Sequence, residues 1–157
     1  MARITEYQSK ISDKMRCRLL ELIEESGCTK WDFAAKVGVN KEVISKATVY
    51  GIIPAVKSLI KISDSLCVSI DYILGETADT DFEPSNEHSD FYTRFDNLLE
   101  EKKIKYCVMA DSMPFQKNSY YEWKRNKCLP TLDFLRAIAA YFEVSIDYLL
   151  GRTDYRY

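Results

Sequence analysis

Apolar residues recur along this chain at spacings of three and four, the period of a helix with one buried face. The first run consists of Met15, Leu19, Leu22 and Ile23. A matching run in the second half consists of Phe91, Phe95, Leu98 and Leu99. Each run follows residues that commonly cap a helix N-terminus, namely Ser12 or Asp13 and Ser89 or Asp90. The pattern predicts a first helix in each half.

The next segment predicts a short helix, a tight turn and a second short helix. Thr29 followed by Asp32 resembles a capping box. Gly38 permits the positive φ that ends a helix. Asn40 is a good N-cap for a helix that runs from Lys41 to about Thr48.

A fourth helix is predicted after the next proline of each half. In the first half it follows Pro54 and ends near Leu66, with Leu59 and Ile62 facing inward. In the second half Thr131 is a good N-cap directly after Pro130. The inner face there consists of Leu132, Leu135, Ile138 and Phe142.

An octapeptide closes each half: VSIDYILG at residues 68–75 and VSIDYLLG at residues 144–151. Ser69 and Ser145 are predicted N-caps of a short fifth helix. Gly75 and Gly151 are predicted to end it, because glycine adopts positive φ without strain. The octapeptide thus has a structural explanation and we assign it no active role.

The second half repeats the first at an offset of 76 residues without a gap, so that Val68 corresponds to Val144 and Pro54 to Pro130. A period this long indicates two copies of one small domain, since solenoid repeats are about 20–50 residues long. We therefore predict an all-α protein with a helix-turn-helix domain at residues 10–76, a linker at 77–89, and a second helix-turn-helix domain at 90–157. The linker is polar and acidic and contains Pro84.

Composition narrows the function classes. The net charge of −2 is not the basic footprint typical of a nucleic-acid binder, so positive charge for DNA binding must be local. Residues 1–10 lack the apolar core of a secretory signal, and no run is long enough to span a membrane. We expect a cytoplasmic protein.

No catalytic or metal-binding constellation is visible. The five cysteines show no paired spacing, which favours reduced thiols in or near the cores over a disulfide framework or a zinc site. His88 is the single histidine and has no Cys, Asp or Ser partner in the pattern. We expect no enzyme activity, no cofactor, no metal and no small-molecule substrate.

The second copy resembles the phage-repressor/Cro-like (XRE-type) helix-turn-helix family. The resemblance rests on the small Ala110 where helices two and three pack, on residues 123–127 (WKRNK), on Pro130 before helix four, and on the ending at residues 144–152. It covers the chain except the N-terminal tail and the linker. It implies two tandem five-helix, lambda-repressor-like DNA-binding domains and a transcriptional regulator, with repression the expected outcome.

The resemblance also implies which residues contact DNA, because members of this family dock the third helix in the major groove. The implied base-reading residues are Lys41, Glu42, Ser45 and Lys46 in copy one, and Gln116, Lys117, Asn118, Tyr121 and Glu122 in copy two. The implied phosphate contacts are Lys30, Tyr106, Lys124, Arg125, Asn126 and Lys127. Lysine can donate to O6 and N7 of guanine, asparagine can pair with adenine, and glutamate can accept from N4 of cytosine.

Both copies depart from the family pattern. Pro114 replaces the turn glycine of copy two and cannot take positive φ, so that turn must adopt another geometry. In copy one the basic stretch is replaced by the uncharged residues 47–53 (ATVYGII). Copy two is therefore expected to be the better DNA binder, whereas copy one binds DNA, pairs within the chain or with a second chain, or contacts a protein partner.

One alternative to a DNA-binding regulator remains open at this point. A protein-interaction module that keeps the fold and has lost DNA binding is favoured by the acidic balance, by Pro114 and by residues 49–53, which would form an apolar surface patch. Among the aromatics, Tyr120 is expected in the core, Tyr121 either in contact with DNA or solvated, and Trp31 and Trp123 packed against their helices.

Overall fold

The computed structural model describes residues 10–87 and 89–157. His88 and the part of the N-terminal tail before Lys10 lie outside the described residues. The described part is all-helical with ten helices and no named strand, which confirms the predicted all-α class. None of these helices combines the length and the apolar character that crossing a membrane requires.

The chain divides into two compact units between Phe82 and Glu83. Within the stretch predicted as linker, Ser85 is bonded to the C-terminal segment. Its backbone N–H donates to the carbonyl oxygen of Arg152 at 2.8 Å, and its hydroxyl donates to Oδ1 of Asp154 at 2.6 Å. Ser85 is therefore held within the second unit.

The described residues of the first unit form five helices: α1 Asp13–Ser26, α2 Lys30–Val37, α3 Lys41–Tyr50, α4 Val56–Leu66 and α5 Ile70–Ile73. The second contains α6 Phe91–Lys102, α7 Tyr106–Ala110, α8 Ser119–Asn126, α9 Leu132–Phe142 and α10 Ile146–Leu149. The fourth and fifth helices have identical bounds at the 76-residue offset. α6 begins two residues later than the offset from α1 implies, and the second and third helices differ on either side of the turn between them.

Side-chain caps begin most of the helices where the sequence predicts them. Ser12 accepts from the N–H of Met15, and Asp90 accepts from the N–H of Thr93. Thr29, Asn40, Ser69 and Ser145 cap in the same way. Thr131 occupies the N-cap position of α9 as predicted, but its side chain makes no capping hydrogen bond, so the predicted cap is wrong in that respect.

The buried residues follow the predicted helical faces. Met15, Leu19 and Leu59 are fully buried in the first unit, as are Phe95 and Leu135 in the second. Each such side chain contributes about 1.5–3 kcal/mol by leaving water. The predicted inner residues Leu22, Leu99 and Leu132 are only half-buried, because they lie at the edge of the apolar face.

All five cysteines are free thiols, as expected, but none lies in a core. Cys17, Cys67 and Cys107 are exposed, while Cys28 and Cys128 are half-buried. Two of these positions belong to helix ends rather than to apolar faces: Cys67 is the left-handed C-cap of α4, and Cys28 follows the glycine that ends α1. The expectation of thiols in or near the cores is corrected accordingly.

The final glycine of each unit packs against the start of that unit's first helix. Gly75 has φ +73°, and a β-carbon there would lie 2.8 Å from the carbonyl oxygen of Lys14. Gly151 has φ +75°, and a β-carbon there would lie 2.0 Å from the carbonyl oxygen of Ser89. Glycine is thus required both for its dihedral and for the close approach of two backbones.

We expect Gly75→Ala to destabilise the first unit more than Gly27→Ala. Both residues have positive φ, which costs an alanine about 1–2 kcal/mol, but a β-carbon at Gly27 meets nothing within 4 Å. The clash with Lys14 adds about 1–3 kcal/mol for Gly75→Ala. Urea denaturation of the full-length variants measures the difference; equal losses would contradict the proposed close packing.

Candidate nucleic-acid interface

The third helix of the first unit, α3, follows α2 through a turn at Gly38, whose φ is 76° as predicted. The side chain of Asn40 then accepts from the N–H of Glu42 at 2.9 Å and fixes where α3 begins. Ile44, Ala47 and Thr48 are buried. The predicted reading residues are spread over the remaining surface: Lys41, Glu42 and Lys46 are exposed, and Ser45 is half-buried.

Trp31, at the start of α2, is 55% exposed. Packing against the helix was expected, and the structure corrects this, because the inward positions of α2 are taken by Phe33, Ala34 and Val37. The ammonium of Lys41 lies 5.5 Å from the centroid of the Trp31 ring. The indole therefore lies beside the N-terminal end of α3, next to a predicted base-reading lysine. Lys30, the neighbouring predicted phosphate contact, is half-buried.

The equivalent turn in the second unit is longer. α7 ends at Ala110 and α8 begins only at Ser119, two residues later than the 76-residue offset implies. No residue of 111–118 has positive φ, because Pro114 stands where Gly38 stands in the first unit. Gln116, Lys117 and Asn118 therefore lie before α8, not within its first turn, which corrects the expected placement. All three are exposed.

Phe115 anchors this longer turn. It is buried and packs edge-on against Trp123 and Phe134, at ring-centroid distances of 5.0 and 5.4 Å. Trp123 is half-buried, which agrees with the packing expected of it. The turn is thus held by an aromatic cluster in place of a left-handed glycine.

Two polar side chains of α6 hold α8 in place. Tyr120 is 5% exposed, as expected of a core residue, and its hydroxyl donates to Oδ1 of Asp96 at 2.5 Å. The hydroxyl of Tyr92 contacts the backbone carbonyl oxygens of Trp123 and Cys128 at the end of α8. Sequence reasoning missed Tyr92 and Asp96, because these contacts join residues 24 to 36 positions apart.

The exposed polar groups around α8 are bonded to one another. Nζ of Lys117 lies 2.7 Å from Oδ1 of Asp111, and this carboxylate raises the pKa of Lys117. The side-chain amide of Asn118 donates to Oε1 of Glu122 at 3.0 Å. Nζ of Lys124 lies 3.6 Å from Oδ2 of Asp96. Arg125, Asn126 and Lys127 are exposed at the end of the helix.

Tyr106, a predicted phosphate contact at the start of α7, has a buried hydroxyl oxygen. Burial raises the pKa of this phenol. Its ring lies 6.1 Å from that of Phe95 and 5.3 Å from that of Tyr120. This placement favours a packing role over a phosphate contact. Tyr121, in contrast, is 61% exposed and remains available to a ligand.

An exposed apolar patch lies at the other end of α3. Val49 and Tyr50 are 51% and 67% exposed, and Ile11 is also exposed. Ile11 is brought there by an antiparallel bridge to Ile52, in which the N–H of Ser12 donates to the carbonyl oxygen of Gly51 at 2.8 Å. We refer to Ile11, Val49 and Tyr50 as the α3 apolar patch.

Comparison of the chain with family models, with curated proteins and with solved structures finds no match.

We expect Tyr120→Phe to lower the free energy of unfolding by about 1–2 kcal/mol, since it removes one hydrogen bond to a carboxylate and keeps the ring.

This contribution should also depend on pH. Burial raises the pKa of Tyr120 above its ordinary value of 10, and the hydrogen bond to Asp96 is the second cause. The folded state therefore favours the protonated phenol, and its contribution is complete below about pH 10 and falls as the pH rises further. Urea denaturation at pH 7 and pH 10.5 measures both effects. The exposed Tyr121→Phe is the control; a loss equal to that of Tyr120→Phe would contradict the anchoring of α8.

Proposed function

We propose that this protein is a sequence-specific DNA-binding transcriptional regulator of the repressor type, acting in the cytoplasm without catalysis. Its two units are proposed to be tandem five-helix, helix-turn-helix domains. In this proposal the third helix of one or both units enters the major groove of double-stranded DNA. The bound protein then acts at a promoter by occlusion or by recruitment.

The observation that carries this proposal is the two-sided character of α3. Its buried side chains are small or apolar, whereas Lys41, Glu42 and Lys46 are exposed together near the turn from α2. A short helix that follows a tight turn and exposes charged side chains has the form of a recognition helix. The positive charge of Lys41 and Lys46 is a local one, and an acidic protein needs such local positive charge to bind DNA.

The exposed side chains suit base edges and phosphates. Lys41 and Lys46 can donate to O6 and N7 of guanine, and Glu42 can accept from N4 of cytosine. In the second unit Asn118 suits adenine once its bond to Glu122 opens. Arg125 and Lys127 are exposed at the end of α8 and are proposed phosphate contacts, together with Lys124 and Asn126. Tyr106 is left out of the proposed interface because its hydroxyl is buried.

Selection of duplexes from a random pool by the full-length protein should enrich a defined motif, with affinity that falls steeply as salt rises. Glu42→Gln and Asn118→Ala should change base preference at single positions, by about 1–3 kcal/mol each. Lys124→Ala and Arg125→Ala should instead weaken binding to all sequences and each reduce the salt slope by about 1. Fluorescence anisotropy across a salt series separates the two kinds of effect.

Lys57→Ala is a control for these substitutions, since Lys57 is exposed on α4 and outside the proposed interface. A palindromic motif would indicate that one unit of each of two chains reads, and an asymmetric motif that both units of one chain read. No enriched motif, together with binding that Glu42→Gln and Asn118→Ala leave unchanged, would overturn the proposal.

The α3 apolar patch supports a second candidate, a protein-interaction module. Val49 and Tyr50 are exposed at the C-terminal end of α3, where phosphate contacts are otherwise expected. Ile11 is a further exposed apolar side chain of this patch. Exposed apolar patches are common where proteins bind each other. The two functions are compatible, because the patch and the charged residues Lys41 and Glu42 lie at opposite ends of α3.

If the patch mediates pairing of two chains, the double variant Val49→Ser with Tyr50→Ser should convert a concentration-dependent dimer into a monomer. Analytical ultracentrifugation of the full-length protein measures this, and Val108→Ser is the control, since Val108 is an exposed valine on α7 of the second unit. A wild-type chain that remains monomeric at all concentrations would count against the pairing function.

A further inference from the structure

Acidic side chains accompany the DNA-facing donors of the second unit. Asp111 contacts Lys117 at 2.7 Å, and both side chains are well exposed. Asp96 contacts Lys124 at 3.6 Å and is already fixed by the hydroxyl of Tyr120. Two of the cations expected to face DNA therefore already have an anionic neighbour within the same unit.

The first unit lacks these acids at the equivalent positions. At the 76-residue offset, Asp111 corresponds to Ala35, Asp96 to Leu20 and Glu122 to Lys46. Within the described residues no ion pair involves Lys41 or Lys46. Glu42 lies one turn before Lys46, but the two do not form an ion pair. Lys41 is instead beside the ring of Trp31.

This difference has a direct electrostatic consequence. A phosphate that approaches Lys117 must replace Asp111 and then remains close to an unpaired carboxylate that repels it. Among the described residues no carboxylate is paired with Lys41 or Lys46, so a phosphate that approaches either lysine has none of these to displace. Exposed ion pairs are weak, so Asp111 does not forbid binding, but it lowers the net attraction that Lys117 provides.

We infer that Asp111 is a specificity-determining residue that restrains Lys117 of the second unit, a restraint that Lys41 and Lys46 of the first unit lack among the described residues. This inference rests on the proposed function. Lys117 and Asn118 then contribute to binding chiefly where the bases offer them better partners than Asp111 and Glu122.

A double-mutant cycle on the full-length protein tests the restraint. Asp111→Ala should raise affinity for a random-sequence duplex by about threefold to tenfold at low salt, because one nearby negative charge is removed. Lys117→Ala should weaken binding more in the Asp111→Ala background than in the wild-type background. The double variant Lys41→Ala with Lys46→Ala should weaken binding to the random-sequence duplex at low salt more than Lys41→Ala alone does, and neither loss should depend on Asp111.

Glu100→Gln is the control for loss of one negative charge, since Glu100 is exposed on α6 and outside the proposed interface. Circular dichroism checks that each variant keeps its helices. If the wild-type chain binds DNA but Asp111→Ala has no more effect than Glu100→Gln, or Lys117→Ala costs the same in both backgrounds, the inference is overturned and the proposed function stands. Absence of DNA binding by both the wild type and Asp111→Ala overturns both.

Discussion

In each unit a glycine at the end of the fifth helix brings the chain against the backbone at the start of the first helix. Gly75 approaches Lys14, and Gly151 approaches Ser89, so closely that a β-carbon at either glycine would collide with a carbonyl oxygen. A cation–π contact strengthens the same closure, with Arg18 4.0 Å from the ring centroid of Tyr72. Arg94 repeats it, 4.3 Å from the ring centroid of Tyr148. Because the first helix also supports the third, this closure fixes the helix that carries the proposed interface.

The sequence predicts local features well, because these depend on neighbouring residues. Ser12, Asp90 and Asn40 cap helices within three residues of themselves, and the fifth helices begin at the predicted serines. The structure adds a feature of the repeat that was not predicted: the left-handed Gly27 and Gly51 correspond to the left-handed Lys103 and Lys127. A lysine in that conformation is strained, and the shared fold imposes it.

Features that depend on distant contacts were not predictable in the same way. The later start of α8 follows from Pro114, which signalled a changed turn but not its length. The anchoring of that turn by Phe115, and of α8 by Asp96 and Tyr92, joins separate helices and leaves no periodic signal. The exposure of Trp31 likewise could not be read from its helical position, because neighbouring side chains decide which face of α2 is buried.

The two units share a fold and differ in how their third helices are held and charged. In the first unit, the helix is capped by Asn40 and exposes lysines that have no acidic partner among the described residues. In the second, hydroxyl and carboxylate groups fix the helix, and several of its exposed donors are bonded to acids. A duplicated domain can in this way keep one scaffold while its two surfaces acquire different affinity and selectivity.

The most direct test of the account is mapping of backbone amide chemical shifts in the full-length protein by NMR, with and without a short DNA duplex at low salt. The account predicts that the largest changes fall on Lys41, Glu42 and Lys46 of α3, with smaller changes around Lys117 and Asn118. Changes confined to the α3 apolar patch, or an unchanged spectrum at millimolar DNA, would contradict it.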